Sequence, residues 1–176
     1  MPSAPPLRYL HGHPAEVLAR VQALLDEGRL LDVVLKRYPE RHEIRTDRAL
    51  YTHVLALKNR FMRNAPPLAK VAYDPTQLNR PQAMLQTLGT HTTIARVQGG
   101  RLKAKREIRI ASVFKEAPAR LLEMIVVHEL AHLKEPDHDR AFYALCTHMA
   151  ADYPQLEFDA RLWLTALEAG AAAGRP

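Results

Sequence analysis

The sequence ARLLEMIVVHELAHLKEPDHDRAFYAL, residues 119–145, decides the fold of this chain. An apolar run from Met124 to Val127 lies directly before two histidines that are four positions apart. This run, with Pro118 before it and Pro136 after it, predicts a helix whose apolar side chains belong to the core. The break at Pro136 predicts a turn, and a second helix follows it.

His128-Glu129-Leu130-Ala131-His132 forms an HExxH sequence within the predicted helix. Residues four apart on an α-helix are separated by a rise of about 6 Å and about 40° around the axis, so both imidazoles point to the same side. Neutral imidazole is the commonest metal ligand. Glu129 lies near such an ion without binding it, where its carboxylate can accept a proton from an activated water. The spacing predicts two metal ligands and a general base.

His138 is the predicted third ligand, because a catalytic zinc typically keeps three protein side chains and one open position. We expect Asp137 to cap the helix after the turn and to place His138 in its first turn. An alternative is that Glu157 replaces His138, as a glutamate from a later helix. We expect one Zn²⁺ per chain from the histidine ligands, and another divalent ion is the alternative.

The composition is typical of one globular domain, with 176 residues, 47% hydrophobic and 25% charged. The single cysteine excludes an intramolecular disulfide and a cysteine-ligated metal cluster, which favours a cytoplasmic location. No window approaches the roughly 20 apolar residues of a membrane span, so we expect no membrane association. The net charge of +6 could attract phosphates, nucleic acid or acidic protein surfaces.

The first third of the chain has helical periodicity, and the middle has the shorter period of strands. Predicted helices cover 14–28, 29–38 and 46–64, and predicted strands cover 68–73, 87–97 and 107–111. Gly99-Gly100 is a turn signal between the last two strands. We therefore predict an α+β domain in which a small antiparallel sheet packs against helices, including the HExxH helix.

The same patterns predict the organisation of the chain. A flexible leader covers 1–13, an N-terminal helical segment packed on the same domain covers 14–67, the catalytic core covers 68–170, and a flexible tail covers 171–176.

Three stretches together resemble a known family. These are LGTHTTIARVQGGRLKAKREIRIASVF (88–114), VVHELAHLKEPDHDRAFYAL (126–145) and QLEFDARLWL (155–164). They are similar to the YgjP-like zinc metallopeptidases, which are related to the SprT-like and Spartan group. Phe142 occupies the aromatic position four residues after the third histidine of that pattern. The resemblance implies a zincin-like fold for the core.

The resemblance also implies an activity. The first expectation is a metallopeptidase that cleaves peptide bonds with a zinc-activated water and Glu129 as general base, so its substrate is a peptide or a protein. A nucleoside triphosphate pyrophosphatase that uses the same site is the second expectation, and it has precedent in the family. The third is a nucleic-acid-associated binding module with a metal-stabilised core, which the net charge and the DNA-linked Spartan relatives suggest.

Residues outside the metal site are predicted to contact the substrate or to support the ligands. In the superfamily an extended substrate pairs with an exposed strand beside the metal helix, and here that strand would provide His91, Thr92, Thr93, Ile94 and Arg96. A ligand histidine often uses its second nitrogen to contact a carboxylate, and Glu157 and Asp159 are candidates for that contact.

The predicted hairpin carries a cluster of basic residues. They could bind the phosphates of a nucleotide or a nucleic acid, although such charges also protect an exposed strand edge from aggregation. The cluster consists of Arg96, Arg101, Lys103, Lys105, Arg106 and Arg109.

Overall fold

The computed structural model describes residues 7–75, 89–98 and 101–174, and for residues 89–98 and 101–105 it describes the backbone alone. This part of the chain contains six α-helices and three strands. They are, in chain order, α1 (Ala15–Asp26), α2 (Leu30–Arg37), α3 (Asp47–Phe61), β1 (Leu68–Asp74), β2 (Gly89–Gln98), β3 (Arg101–Ala111), α4 (Ala119–Ala131), α5 (Arg140–Met149) and α6 (Tyr153–Ala172).

The three N-terminal helices begin and end close to the predicted residues, and local chemistry explains why. Gly28 follows α1 with a φ of 67°, a left-handed conformation that glycine adopts without steric cost. Thr46 caps α3, since its hydroxyl oxygen accepts a hydrogen bond of 3.2 Å from the N–H of Ala49. The predicted helices of the first third are therefore confirmed.

The sheet is mixed, with the strand order β1-β3-β2. The hairpin strands β2 and β3 pair antiparallel, whereas β1 pairs parallel to β3, with Val71 opposite Ile108. The α+β class is confirmed, but the prediction of an antiparallel sheet is wrong for the pairing of β1. The hairpin lies with β3 in the centre of the sheet, and β1 joins the free edge of β3 in the same direction. The order of the strands depends on tertiary packing, so the strand periodicity of the sequence does not encode it.

Helix α4 is the centre of the domain. Ten of its thirteen residues are buried, from Leu121 to Ala131 with the exception of Glu123. It packs against the sheet and against α3, α5 and α6. Because other elements surround α4, the helix can be apolar on every side. His128 and Glu129, near its end, therefore lie in a largely dehydrated environment. The arrangement is consistent with a small zincin-like domain.

The segment before α1 is packed on the domain. A short 3-10 turn, Arg8–Leu10, buries Tyr9 and Leu10, and Leu10 joins a second apolar cluster with Val21, Leu30 and Ala166. This packing differs from the flexible leader that the sequence predicts for residues 1–13, because burial of Leu10 compensates the entropy of ordering so short a segment. Residues 1–6 lie outside the described part.

The C-terminal helix is also longer than predicted. Helix α6 continues to Ala172, two residues into the predicted flexible tail, and the final two residues lie outside the described part. In the described ranges no helix combines the length and the apolar character that crossing a membrane requires.

Candidate metal centre

Three histidine side chains converge at the end of α4. The Nε2 atom of His138 lies 3.0 Å from Nε2 of His132 and 3.2 Å from Nε2 of His128. Within the described residues these three form the group of side chains that could hold a metal ion together. His128 is buried, His132 is half-buried and His138 is exposed, so the centre is open on one side. The structure thus brings the three predicted ligands together.

The spacing of these nitrogens fits a metal ion. Zn–N distances of about 2.0–2.1 Å at tetrahedral angles separate two ligand nitrogens by about 3.3 Å. The observed separations of 3.0 and 3.2 Å are close to that value. The donor set therefore fits one ion on the three Nε2 atoms.

The second nitrogen of His132 fixes the ring in the form that a metal requires. Its Nδ1 lies 3.0 Å from the carbonyl oxygen of Glu135. A carbonyl oxygen only accepts, so Nδ1 carries the proton and donates it, and the lone pair of Nε2 faces the centre. This carbonyl becomes available because α4 ends at Ala131 and the chain turns before Pro136.

His128 is held by a tyrosine. Its Nδ1 lies 2.7 Å from the hydroxyl oxygen of Tyr153, the first residue of α6, and both side chains are buried. For Nε2 of His128 to donate its lone pair to a metal ion, the ring proton must be on Nδ1, and the hydroxyl oxygen of Tyr153 then accepts the hydrogen bond from Nδ1–H. Tyr153 thus orients His128 toward the centre.

His138 reaches the centre from the turn rather than from a helix. Asp139, not Asp137, caps α5, because its carboxylate oxygen Oδ1 accepts a hydrogen bond of 3.0 Å from the N–H of Phe142. The helix then begins at Arg140, so His138 precedes it. Asp137 and Asp139, on either side of His138, carry the same capping signal in the sequence, and in the structure Asp139 is the cap.

Phe142 forms the floor of the centre. Its buried ring lies with its centroid 5.0 Å from that of His128, 4.6 Å from that of His132 and 4.8 Å from that of His138. A single rigid ring in contact with three imidazoles restricts their rotamers and excludes water from one side. It therefore helps to preorganise the ligands.

Burial keeps His128 and His132 neutral, as metal binding requires. Burial and the neighbouring imidazoles of His132 and His138 lower the pKa of His128 to about 3. The pKa of His132 is lowered as well, mainly by burial. Neither ring needs to lose a proton at neutral pH before it can donate its lone pair.

Glu129 lies beside the centre with an unsatisfied carboxylate. The residue is 1% exposed, and neither carboxylate oxygen has a hydrogen-bond partner within the described residues. Burial raises the pKa of this carboxyl to about 8. An orphaned buried carboxyl is costly to the fold, and such groups concentrate at functional sites. A group of this kind can accept or return a proton near neutral pH.

The carboxylates predicted to support the ligands have other partners. Glu157 accepts a hydrogen bond of 3.0 Å from Nη2 of Arg161. Asp159 accepts from the Tyr38 hydroxyl at 2.6 Å and from Gln155 at 3.1 Å. The hydrogen bonds found therefore differ from the predicted contacts to a ligand histidine. Both carboxylates project from α6 toward α2 and the N-terminal segment, which the sequence alone did not indicate.

Tyr153, which provides the support instead, carried a weak signal in the sequence. It lies directly before Pro154, at the end of one predicted helix and before the break that precedes the next. Its contact with His128 spans 25 positions and depends on the packing of α6 against α4. Only the tertiary structure reveals it.

The predicted substrate residues belong to β2. The backbone of His91, Thr92, Thr93, Ile94 and Arg96 lies on this edge strand, which packs against α4, and their side chains lie outside the described part.

The side chains of Arg101, Lys103 and Lys105 also lie outside it. Arg109 is close to two acidic side chains, Asp74 at 3.8 Å and Glu107 at 3.7 Å. These acidic neighbours offset part of the positive charge of the basic cluster.

The fold and the centre define a class, that of small α+β domains with a three-histidine metal site. A model of the YgjP-like family, described as "YgjP-like, metallopeptidase domain", matches residues 90–162. The chain is 56% identical over 164 residues to a protein named "UTP pyrophosphatase" from Escherichia coli (strain K12). That alignment covers 93% of this chain and 96% of the relative. No solved structure matches the chain.

The chain belongs to the YgjP-like family. The family and the histidine cluster support a metal-dependent hydrolase.

Proposed function

We propose that this protein is a zinc-dependent nucleoside triphosphate pyrophosphatase that acts on UTP. The observation that carries the proposal is the cluster of three Nε2 atoms beside the unpartnered carboxylate of Glu129. The choice of substrate is supported by the relative of 56% identity, whose name is "UTP pyrophosphatase" and whose length is covered almost completely. Zinc is preferred because all three donors are imidazole nitrogens.

His128, His132 and His138 would hold the ion. When bound, a divalent ion supplies positive charge that activates water and stabilises anionic oxygens in the transition state. The protein fixes two of the three donors, His128 through Tyr153 and His132 through the Glu135 carbonyl, so these two need little reorganisation during the reaction.

Glu129 would move the proton. The oxygen of a water forms a bond to the α-phosphorus of UTP, and the bridging bond from that phosphorus to the β-phosphate oxygen breaks. UMP and pyrophosphate leave, and the proton of the attacking water passes to the Glu129 carboxylate. The carboxyl then returns that proton to solvent or to the leaving group, which restores the general base.

The test is turnover of UTP by the full chain loaded with zinc. Release of UMP and pyrophosphate is followed by phosphorus NMR, for the wild type beside Glu129→Gln. We expect hydrolysis by the wild type and a loss of kcat of about 10²–10⁴-fold in the variant, the range typical of a general base. Glu129→Gln should retain its zinc, since the carboxylate is not a ligand.

A matched control lies on the same helix. Glu123 pairs with Arg120 at the surface of α4, so Glu123→Gln makes the same chemical change away from the centre. We expect its kcat to stay within about twofold of the wild type. Full turnover by Glu129→Gln would contradict the assignment of the general base.

Peptide hydrolysis is the second candidate, because the matching family description names a metallopeptidase domain. The same zinc-loaded protein, incubated with a mixture of unstructured peptides, distinguishes the two. Cleavage that depends on Glu129, together with no release of pyrophosphate from UTP, would reverse the ranking.

A further inference from the structure

A second concave site lies at the start of α6, the helix whose first residue, Tyr153, contacts His128 of the metal centre. The N-terminal segment and the first turns of α6 enclose a cavity of about 350 Å³, and it has a charged pair, Glu157 and Arg161, and a flat apolar ring, Phe158, in its wall. This volume falls in the range of about 300–1,000 Å³ that is common for small-molecule sites. The metal centre does not use these residues.

The charged pair presents unused hydrogen-bonding groups. Glu157 accepts from Arg161 through Oε1, and its other carboxylate oxygen has no hydrogen-bond partner within the described residues. Arg161 uses Nη1 to bond the carbonyl oxygen of Tyr9 and Nη2 to bond Glu157, so some of its five N–H donors remain available. The side chains are 16% and 24% exposed, respectively, so a ligand would meet an acceptor beside donors in a partly dehydrated wall.

The residues that line the cavity indicate which class of ligand it binds. A half-buried carboxylate repels phosphate, and the paired charges of Glu157 and Arg161 cancel. The rings of Phe158 and His13 lie with their centroids 5.1 Å apart and provide flat surface. The cavity therefore suits a planar, uncharged group that both donates and accepts hydrogen bonds, which is the chemistry of a nucleobase.

The position of the cavity fits one end of a nucleotide. Pro154 lines it, and the preceding residue, Tyr153, contacts His128. Glu157 and Arg161 follow Tyr153 by one and two turns of α6, about 6 and 12 Å along the axis.

We propose that this cavity is the uracil-binding site, in which the Glu157 carboxylate accepts from N3–H, Arg161 donates to a ring carbonyl and Phe158 contacts the face of the base. The proposal rests on the proposed UTP pyrophosphatase function. It makes Glu157, Arg161 and Phe158 the residues that determine which base is accepted.

Binding of UTP separates this proposal from turnover. The zinc-loaded full chain with Glu129→Gln binds UTP without consuming it, so calorimetry can compare it with the double variant Glu129→Gln/Glu157→Gln. Tripolyphosphate is the second probe, since it has the phosphates and lacks the base. We expect UTP affinity to fall at least tenfold in the double variant, whereas tripolyphosphate affinity stays within twofold.

Two further variants provide a control and a second test of the base site. Glu168→Gln changes a carboxylate of the same helix that pairs with Arg8, and it should leave both affinities unchanged. Phe158→Leu keeps an apolar side chain but removes the ring face, and it should weaken UTP at least threefold. Zinc content and melting temperature of each variant show that the fold is retained.

Each other outcome is informative. Unchanged UTP affinity in Glu157→Gln and in Phe158→Leu would overturn the base site. An equal loss of UTP and tripolyphosphate affinity would also overturn it, because Glu157 would then act on phosphate binding. If UTP affinity falls as expected but the wild type releases no pyrophosphate from UTP, the base site stands and the proposed function fails.

Discussion

Helices α4 and α6 meet at the metal centre and contribute to it in different ways. Ten of the thirteen residues of α4 are buried, and local spacing places Glu129 between two ligands, His128 on the helix and His132 at its C-cap. Eight of the twenty residues of α6 are buried, and its polar side chains bond partners far away in the chain, such as Tyr38 and Tyr9. We infer that α4 supplies the reacting groups, whereas α6 orients them and, through the proposed base site, selects the substrate.

The two helices also differ in how their buried carboxyl groups affect the stability of the fold. Among the described residues, Glu129 on α4 is buried without a hydrogen-bond partner, whereas Asp159 on α6 is just as buried and is satisfied by Tyr38, Gln155 and Arg37. An unsatisfied buried carboxyl destabilises the fold, and a satisfied one costs little. The reactive helix therefore carries the destabilising group, and the supporting helix carries a structural network.

The largest expected effect concerns a ligand on α4. His132→Ala should lower UTP turnover by on the order of a thousandfold or more, because the ion loses a donor and its position. Steady-state kinetics in zinc-replete buffer measure this. His148→Ala, an exposed histidine on α5 that contacts Phe61, is the matched control and should keep near-normal turnover. Normal turnover by His132→Ala would remove α4 from its assigned role.

The next effect is on stability and concerns the metal-free protein. Burial raises the pKa of Glu129 from its ordinary value of 4.5 to about 8, so the stability contribution of the protonated carboxyl is complete below about pH 4.5 and is lost as the pH rises through about 8. Glu129→Gln removes this penalty. We expect the metal-free variant to be more stable than the metal-free wild type at pH 8 by on the order of 4 kcal/mol.

Urea unfolding of both proteins at pH 5 and pH 8 measures the difference, which should grow with pH. Glu123→Gln makes the same change at the edge of α4 and should not reproduce that growth. A stability difference that is independent of pH would show that the Glu129 carboxyl is solvated in the metal-free protein.

A smaller effect tests the support that α6 gives to α4. Tyr153→Phe removes the hydroxyl that bonds His128 and keeps the buried ring. Zinc affinity should fall by about 10–100-fold, as is typical when the partner of a ligand histidine is removed. Competition with a chromophoric chelator measures it. Tyr143→Phe removes a neighbouring hydroxyl that is not bonded to a ligand, and an equal loss there would contradict the role of Tyr153.

The smallest effect concerns the network that fixes α6. Tyr38→Phe removes the 2.6 Å hydrogen bond to Asp159, which keeps Gln155 and Arg37 as partners. We expect a loss of about 1 kcal/mol in the free energy of unfolding, without a change in zinc affinity. Chemical denaturation checks this, with Tyr51→Phe on α3 as control. A loss of zinc affinity in Tyr38→Phe would show that the network also positions the centre.

The sequence predicted what depends on local spacing. His128 and His132 share a side of one helix by geometry alone, and His138 needed only the turn at Pro136. The helices of the first third followed from periodicity and from signals such as Thr46 and Gly28. These features are encoded within a few residues of one another.

The sequence did not predict what depends on tertiary packing. The parallel pairing of β1, the contact from Tyr153 to His128 and the contact from Tyr38 to Asp159 join residues 25 to 121 positions apart. Neither hydrophobic period nor composition specifies such pairs. The buried turn at Tyr9 and Leu10 was missed for the same reason, since its apolar partners lie on α1, α2 and α6.

The most direct test of the metal centre is zinc content per chain, measured by mass spectrometry on protein purified without a histidine tag. The account predicts about one zinc in the wild type, its loss in His138→Ala and its retention in Glu157→Gln. Retention in His138→Ala with loss in Glu157→Gln would move the third ligand to α6, and a wild type without metal in zinc-replete buffer would contradict the hydrolase mechanism as a whole.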